Sequence, residues 1–121
     1  MLRTSRSSTQ VLKEILEIPG IDAAVIVGRD GFVIESMGSS QDVEVDTLGA
    51  CLATAINSIE EMGKEMSVAP YRDLFVEYGN AVIISRPVGD AIMSLVSPNA
   101  STLGIIRHKV KGLVRELEEL F

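Results

Sequence analysis

At 121 residues, 46% hydrophobic and 23% charged, the chain is long enough for one domain that buries roughly two thirds of the surface its unfolded form exposes. A net charge of −6 argues against a phosphate backbone as partner, because that binding is driven by Lys and Arg. Cys51 is the only cysteine, which excludes an intramolecular disulfide and a cysteine-based metal site, and no apolar run approaches the ~18 residues of a membrane span.

The opening MLRTSRSSTQ lacks the apolar stretch of a signal peptide, so a cytoplasmic location is expected, with residues 1 to about 6 a flexible N-terminus on a single domain spanning 1–121. Ser7 with Gln10 reads as a capping box, and Val11, Leu12, Ile15 and Leu16 recur at helical spacing until Pro19-Gly20. An apolar run from Ala23 to Val27, a two-residue turn at Asp30-Gly31 and a second run from Phe32 to Met37 predict a hairpin. Asp42 can cap the longest helix, about Val43 to Ser67, which Pro70 follows. Three strands come next, at Asp73–Tyr78, Ala81–Arg86 and Ala91–Ser97, joined at Gly79-Asn80 and Gly89-Asp90. A last helix runs from about Thr102 to Leu120.

The order α-β-β-α-β-β-β-α, with turns too short for parallel crossovers, predicts an α/β fold with an antiparallel five-stranded sheet. Val25, Ile26 and Val27, Val82, Ile83 and Ile84, and Ile92 and Met93 put apolar side chains on both faces of the pleat, so both faces need covering. A three-layer sandwich follows, with the long middle helix on one side and the terminal helices on the other.

Within the middle helix, residues 47–59 carry no charge. Leu48, Leu52, Ala55, Ile59, Met62 and Met66 form the stripe expected to face the sheet. On the reverse side stand Ala50, Ala53, Thr54 and Asn57, with Glu60, Glu61, Lys64 and Glu65 only in the final turns. Ala and Thr also serve as plain surface residues, but a long uncharged back is accounted for economically by a second copy of the same helix in a two-fold dimer. Leu74, Phe75 and Val76 on the first strand of the meander extend that expected interface, because an edge strand invites pairing with its twin; shielding of the edge by a loop is the alternative.

Ile18-Pro19-Gly20-Ile21, the AAVIVGRDGFVIES hairpin, the small-residue helix, the meander and Leu103-Gly104-Ile105-Ile106-Arg107 together resemble the roadblock family of dynein light-chain-related proteins, from about Thr9 to Leu120. The resemblance implies a homodimer with its middle helices side by side on a continuous sheet, in proteins that regulate or scaffold small Ras-like GTPases or attach cargo to motors. The family has no universal catalytic motif, so no residue is assigned a catalytic role.

The chain's own chemistry agrees with that assignment. His108, the only histidine, lies opposite the stripe Leu103, Ile106, Val110, Leu113 and Leu117 and is expected to face water. Cys51 is expected to fill space on a packed helix rather than act as a nucleophile. One His, one Cys and scattered carboxylates do not form a metal site. Gly63-Lys64 resembles a phosphate loop only in part, since Glu65 stands where Ser or Thr holds magnesium. Asp42, Glu44 and Asp46 read as helix N-terminal charges. Arg107, Lys111 and Arg115 form a basic strip, read as a solvated face with an acidic partner patch as the functional alternative.

The expectation is therefore a non-enzymatic, cofactor-free homodimeric signalling regulator or adaptor for a small GTPase, with Asn57, Glu60, Glu61 and Lys64 as the partner-facing residues. The alternatives are a small-molecule sensor of profilin or longin type, with Ser85, Ser94 and Ser97 as its polar groups, and a pure scaffold subunit.

Overall fold

The computed structural model describes residues 6–38, 44–99, 101 and 103–121. Its elements are α1 (Ser8–Leu16), β1 (Ala23–Gly28), β2 (Val33–Gly38), α2 (Val45–Glu65), β3 (Leu74–Glu77), β4 (Val82–Val88), β5 (Ala91–Ser97) and α3 (Leu103–Leu120). The strands form the antiparallel five-stranded sheet expected from the chain order, and their spatial order is β2-β1-β5-β4-β3.

Local chemistry explains where the elements begin and end. The α1 capping box is complete: Gln10 N–H donates to the Ser7 hydroxyl, and Ser7 N–H donates to the Gln10 side chain at 2.9 Å. Glu44 stands at the α2 N-cap without a side-chain bond, and Asp42, expected there, lies outside the described residues. At its other end α2 closes in a Schellman motif, with Ser67 N–H donating to Lys64 O and Val68 N–H to Gly63 O, each at 3.1 Å. Ser67 takes the left-handed position there, with φ 56.

The first hairpin departs from the expected two-residue turn. Gly28 N–H bonds Phe32 O, leaving Arg29, Asp30 and Gly31 in the loop, and of these only Gly31 has positive φ. A type I′ turn needs two such residues and a type II′ turn one at its first position, whereas a three-residue loop needs one at its last position. Beyond the loop β2 carries a bulge: Ile26 pairs with Glu35 but Val27 with Val33, so Ile34 has no opposite number. β4 runs to Val88 rather than stopping at Arg86. Pro87 is tolerated because β3 pairs only as far as Ser85, so the end of β4 is itself an edge.

Both faces of the sheet are covered. α1 and α3 close one face over Val11, Leu12, Ile15, Ile26, Met93, Leu95, Ile106 and Leu117, all at most 2% exposed. α2 closes the other over a smaller cluster of Val25, Val27 and Leu52. The terminal helices are also tied to each other, because the Arg6 guanidinium bridges Glu14 of α1 and Glu116 of α3. Two carboxylates around one guanidinium hold it firmly protonated.

Candidate functional site

α2 presents the sheet with Gly49, Leu52, Ala53 and Ile56; of the stripe expected from hydrophobicity Leu52 is buried and Leu48 packs beside it, but the rest is displaced. The helix is turned by roughly 80° from that expectation, at 100° per residue. Close approach is the reason. A Cβ on Gly49 would lie 2.8 Å from the Gly31 carbonyl oxygen and 2.9 Å from Val33 Cγ2, so the helix backbone rests directly on the β1–β2 hairpin. Larger side chains could not occupy that contact, and the long methionines are turned away from it.

The rotation redistributes the expected interface residues. Ala50, Thr54 and Asn57 are exposed, as expected, but Ala53 is 5% exposed and packed inward. Cys51 is exposed rather than packed in the core, and Ala55, placed on the sheet side in the sequence, joins it on the outer face. Met62 and Met66, also expected inside, are 59% and 62% exposed. The outward face thus reads Thr47, Ala50, Cys51, Thr54, Ala55 and Ser58 without a charge, then alternates methionine and glutamate. Hydrophobic weight alone could not locate it; the pairing of Gly49 with Ala53, one turn apart, was the available signal.

Of the residues expected to face a partner, Glu61 and Lys64 form an exposed pair at 3.2 Å and Asn57 is open to solvent. Glu60 is committed elsewhere: Arg29 from the first hairpin loop binds it at 2.5 Å. Beside that pair the Tyr71 hydroxyl is buried without a hydrogen-bond partner among the described residues, and burial, with Glu60 and Asp73 nearby, pushes its pKa up to about 12 against the opposing pull of Arg29.

β3 lies at the sheet edge, bonded only to β4, with Phe75 41% exposed and Leu74 and Val76 half-buried. Asp73, just before it, organises its surroundings. Arg86 binds that carboxylate through two nitrogens, at 2.8 and 3.1 Å, and Arg107 donates to it at 3.0 Å. The Arg107 guanidinium also lies 5.1 Å from the centre of the Phe75 ring. Burial pushes the Asp73 carboxyl up, but the two arginines outweigh it and hold its pKa below the ordinary value. Arg107 stays exposed, as the solvated-face reading expects, and is also a tie between α3 and the β3 edge. Its partner lies 34 residues away, beyond the reach of pattern reading.

The remaining chemistry is structural. Ser85 and Ser94 bond each other across β4 and β5 at 2.5 Å, and the Ser97 hydroxyl donates to Asn99 O. His108 is exposed. Gly63-Lys64 lies in the last turn of α2, whereas a phosphate loop needs the N-terminal end of a helix. Among the described residues no three His, Cys, Asp or Glu side chains converge for a metal, and no helix is long and apolar enough to cross a membrane.

Comparison with known proteins agrees with this architecture. Protein MJ1340 of Methanocaldococcus jannaschii, itself uncharacterised, is 24% identical over 112 residues, which cover 93% of this chain and 97% of the relative. Myxococcus xanthus MglB shares the fold with a TM-score of 0.86 at 18% identity, over 96% of this chain and 98% of MglB. The gliding protein mglB of Thermus thermophilus superposes with a TM-score of 0.82 at 21% identity, over 93% of this chain and 86% of that one. The sequence model of the Roadblock/LC7 domain matches residues 8–97, from the first residue of α1 to the last of β5. The chain belongs to the Roadblock/LC7 domain family.

Proposed function

We propose that the protein is a homodimeric regulator or adaptor for a small Ras-like GTPase, acting in the cytoplasm without chemistry of its own. One observation carries the dimer: the outward face of α2 presents Thr47, Ala50, Cys51, Thr54, Ala55 and Ser58 without a charge on a protein that is 23% charged. Small uncharged side chains permit close helix–helix approach, and a two-fold axis makes one such face complementary to itself. β3 supports the same reading, since its backbone groups are unpaired on one side and Phe75 is partly exposed. Family membership supports the GTPase partner, and the exposed Asn57, Glu61 and Lys64 near the charged end of α2 are the contact residues of this reading. The sensor reading is weaker here, because Ser85 and Ser94 satisfy each other instead of facing a ligand.

Light scattering in dilute buffer tests the dimer: about 26 kDa, twice the 13.0 kDa of the chain, is expected, and a mass near 13.0 kDa would refute it. For the partner, the GTPase encoded nearest to this gene is titrated with the protein. Altered GTP turnover or a stable complex is expected, and the absence of both would refute the regulatory reading. Glu61→Lys with Lys64→Glu should weaken the complex; an unchanged affinity would remove that end of α2 from the contact surface.

A further inference from the structure

Arg107 is fixed to Asp73 and Phe75, but the basic residues around it are not so committed. Arg72, Lys111 and Arg115 are exposed and make no hydrogen bond or ion pair among the described residues. Arg72 and Lys111 open onto one cleft of about 480 Å³ between α3 and the strand edge, which Asp73, Arg86, Arg107 and Glu118 also line. Four cations against two carboxylates leave the cleft at +2, so the rest of a chain with net charge −6 stands at −8. Asp73 occupies two of the five N–H donors of Arg86 and one of those of Arg107. Both guanidinium groups are thereby oriented and retain donors.

We propose that this cleft is a docking site for an extended acidic segment of a protein partner, with carboxylates at alternate positions. The spacing and the charge both point to that ligand. Arg107 and Lys111, the two cations that α3 gives the cleft, stand ~6 Å apart along the helix, at four residues of 1.5 Å rise, and Arg115 continues the spacing one turn beyond the cleft. Side chains on one side of an extended chain recur every ~6.6 Å, so alternate carboxylates stay in step with the cations. An anionic membrane is a poor match for cations that line a concavity on an otherwise acidic molecule. The site lies at α3 and β3 and does not depend on the GTPase reading.

Fluorescence anisotropy with three labelled twelve-residue peptides tests the proposal: one alternating Glu with Ser, one of the same composition with its glutamates in a single block, and one alternating Gln with Ser. The alternating Glu peptide should bind, more tightly than the block peptide, and the Gln peptide should not. Arg72→Glu with Lys111→Glu, two exposed positions, should raise its Kd at least tenfold. Lys13→Glu with Lys109→Glu, two exposed positions that do not line the cleft, makes the same change in net charge and should leave the Kd within about twofold. No binding of the alternating peptide, equal binding of the block peptide, or equal weakening by both pairs of substitutions would each overturn the assignment. So would capture by vesicles containing phosphatidylserine, lost in the cleft variant, without binding of the peptide; that result would assign the cleft to a membrane surface.

Discussion

Replacing Gly49 and Gly112 by alanine, separately, tests how closely α2 rests on the hairpin. Both glycines lie inside helices, where alanine is favoured by about 0.5–1 kcal/mol. At Gly112 a Cβ would meet nothing within 4 Å, so Gly112→Ala should gain that full amount. At Gly49 the same atom would fall 2.8 Å from the Gly31 carbonyl oxygen and 2.9 Å from Val33 Cγ2, well inside the ~3.5 Å of ordinary contact. The helix must then lift from the turn, at the ~1–3 kcal/mol typical of overpacking, so the propensity gain is cancelled or reversed. The two variants should differ by about 1–3 kcal/mol, on the order of 4–10 °C in Tm for a chain of this size. Urea denaturation, run at one protein concentration because association adds stability, measures the difference. Equal stabilisation by the two substitutions would refute the contact and with it the orientation of α2.

Four further outcomes follow from particular contacts. Ser67→Gly should stabilise by about 1 kcal/mol in the same assay, because it relieves a left-handed residue at the end of α2 while keeping the Schellman bonds. Ser85→Ala should cost about 1–3 kcal/mol by leaving the Ser94 hydroxyl buried without its partner, and adding Ser94→Ala should recover part of that loss. Asp73→Asn should cost about 2 kcal/mol at pH 7; since the folded carboxyl titrates below its ordinary value of 3.8, its contribution is present above that pH and is lost as pH falls through the folded value, so wild type and variant should converge in acid unfolding curves. Thr54→Glu, on the outward face of α2, should shift the scattering mass from about 26 kDa towards 13.0 kDa while leaving the circular dichroism spectrum unchanged.

The sheet and its layers were legible because the signals for them are local. Ser7 and Gln10 sit three residues apart, and the apolar runs of β1, β4 and β5 declare that both faces are buried. The orientation of α2 was not, because a helical wheel weights large apolar side chains. Here the inward face is set by what can approach the hairpin, and that favours Gly49 and Ala53 over Met62 and Met66. The uncharged segment was visible in the sequence, but which of its residues point outward depended on that tertiary contact. For the same reason Glu60 read as free, although Arg29 holds it from 31 residues away. The Asp73 cluster left no pattern at all, since its arginines come from β4 and α3.

The two edges of the sheet are not equivalent, and the difference bears on how chains of this protein could join. β2 is interrupted by the bulge at Ile34, and its Glu35 accepts bonds from the Ser8 and Thr9 hydroxyls at the start of α1. A bulge breaks the regular spacing of outward backbone groups and so discourages strand addition. β3 pairs with β4 without a shift, from Leu74 opposite Ser85 to Glu77 opposite Val82, so its free side keeps regular spacing over four residues. Arg107 lies over the Phe75 ring, which occupies the face of the strand and leaves the in-plane direction open. A partner strand can therefore add to β3 edge-on without displacing that cation. An interface of four residues is too short to hold two chains by itself. The proposed dimer accordingly requires the outward face of α2 to contribute most of the contact, with β3 setting the register.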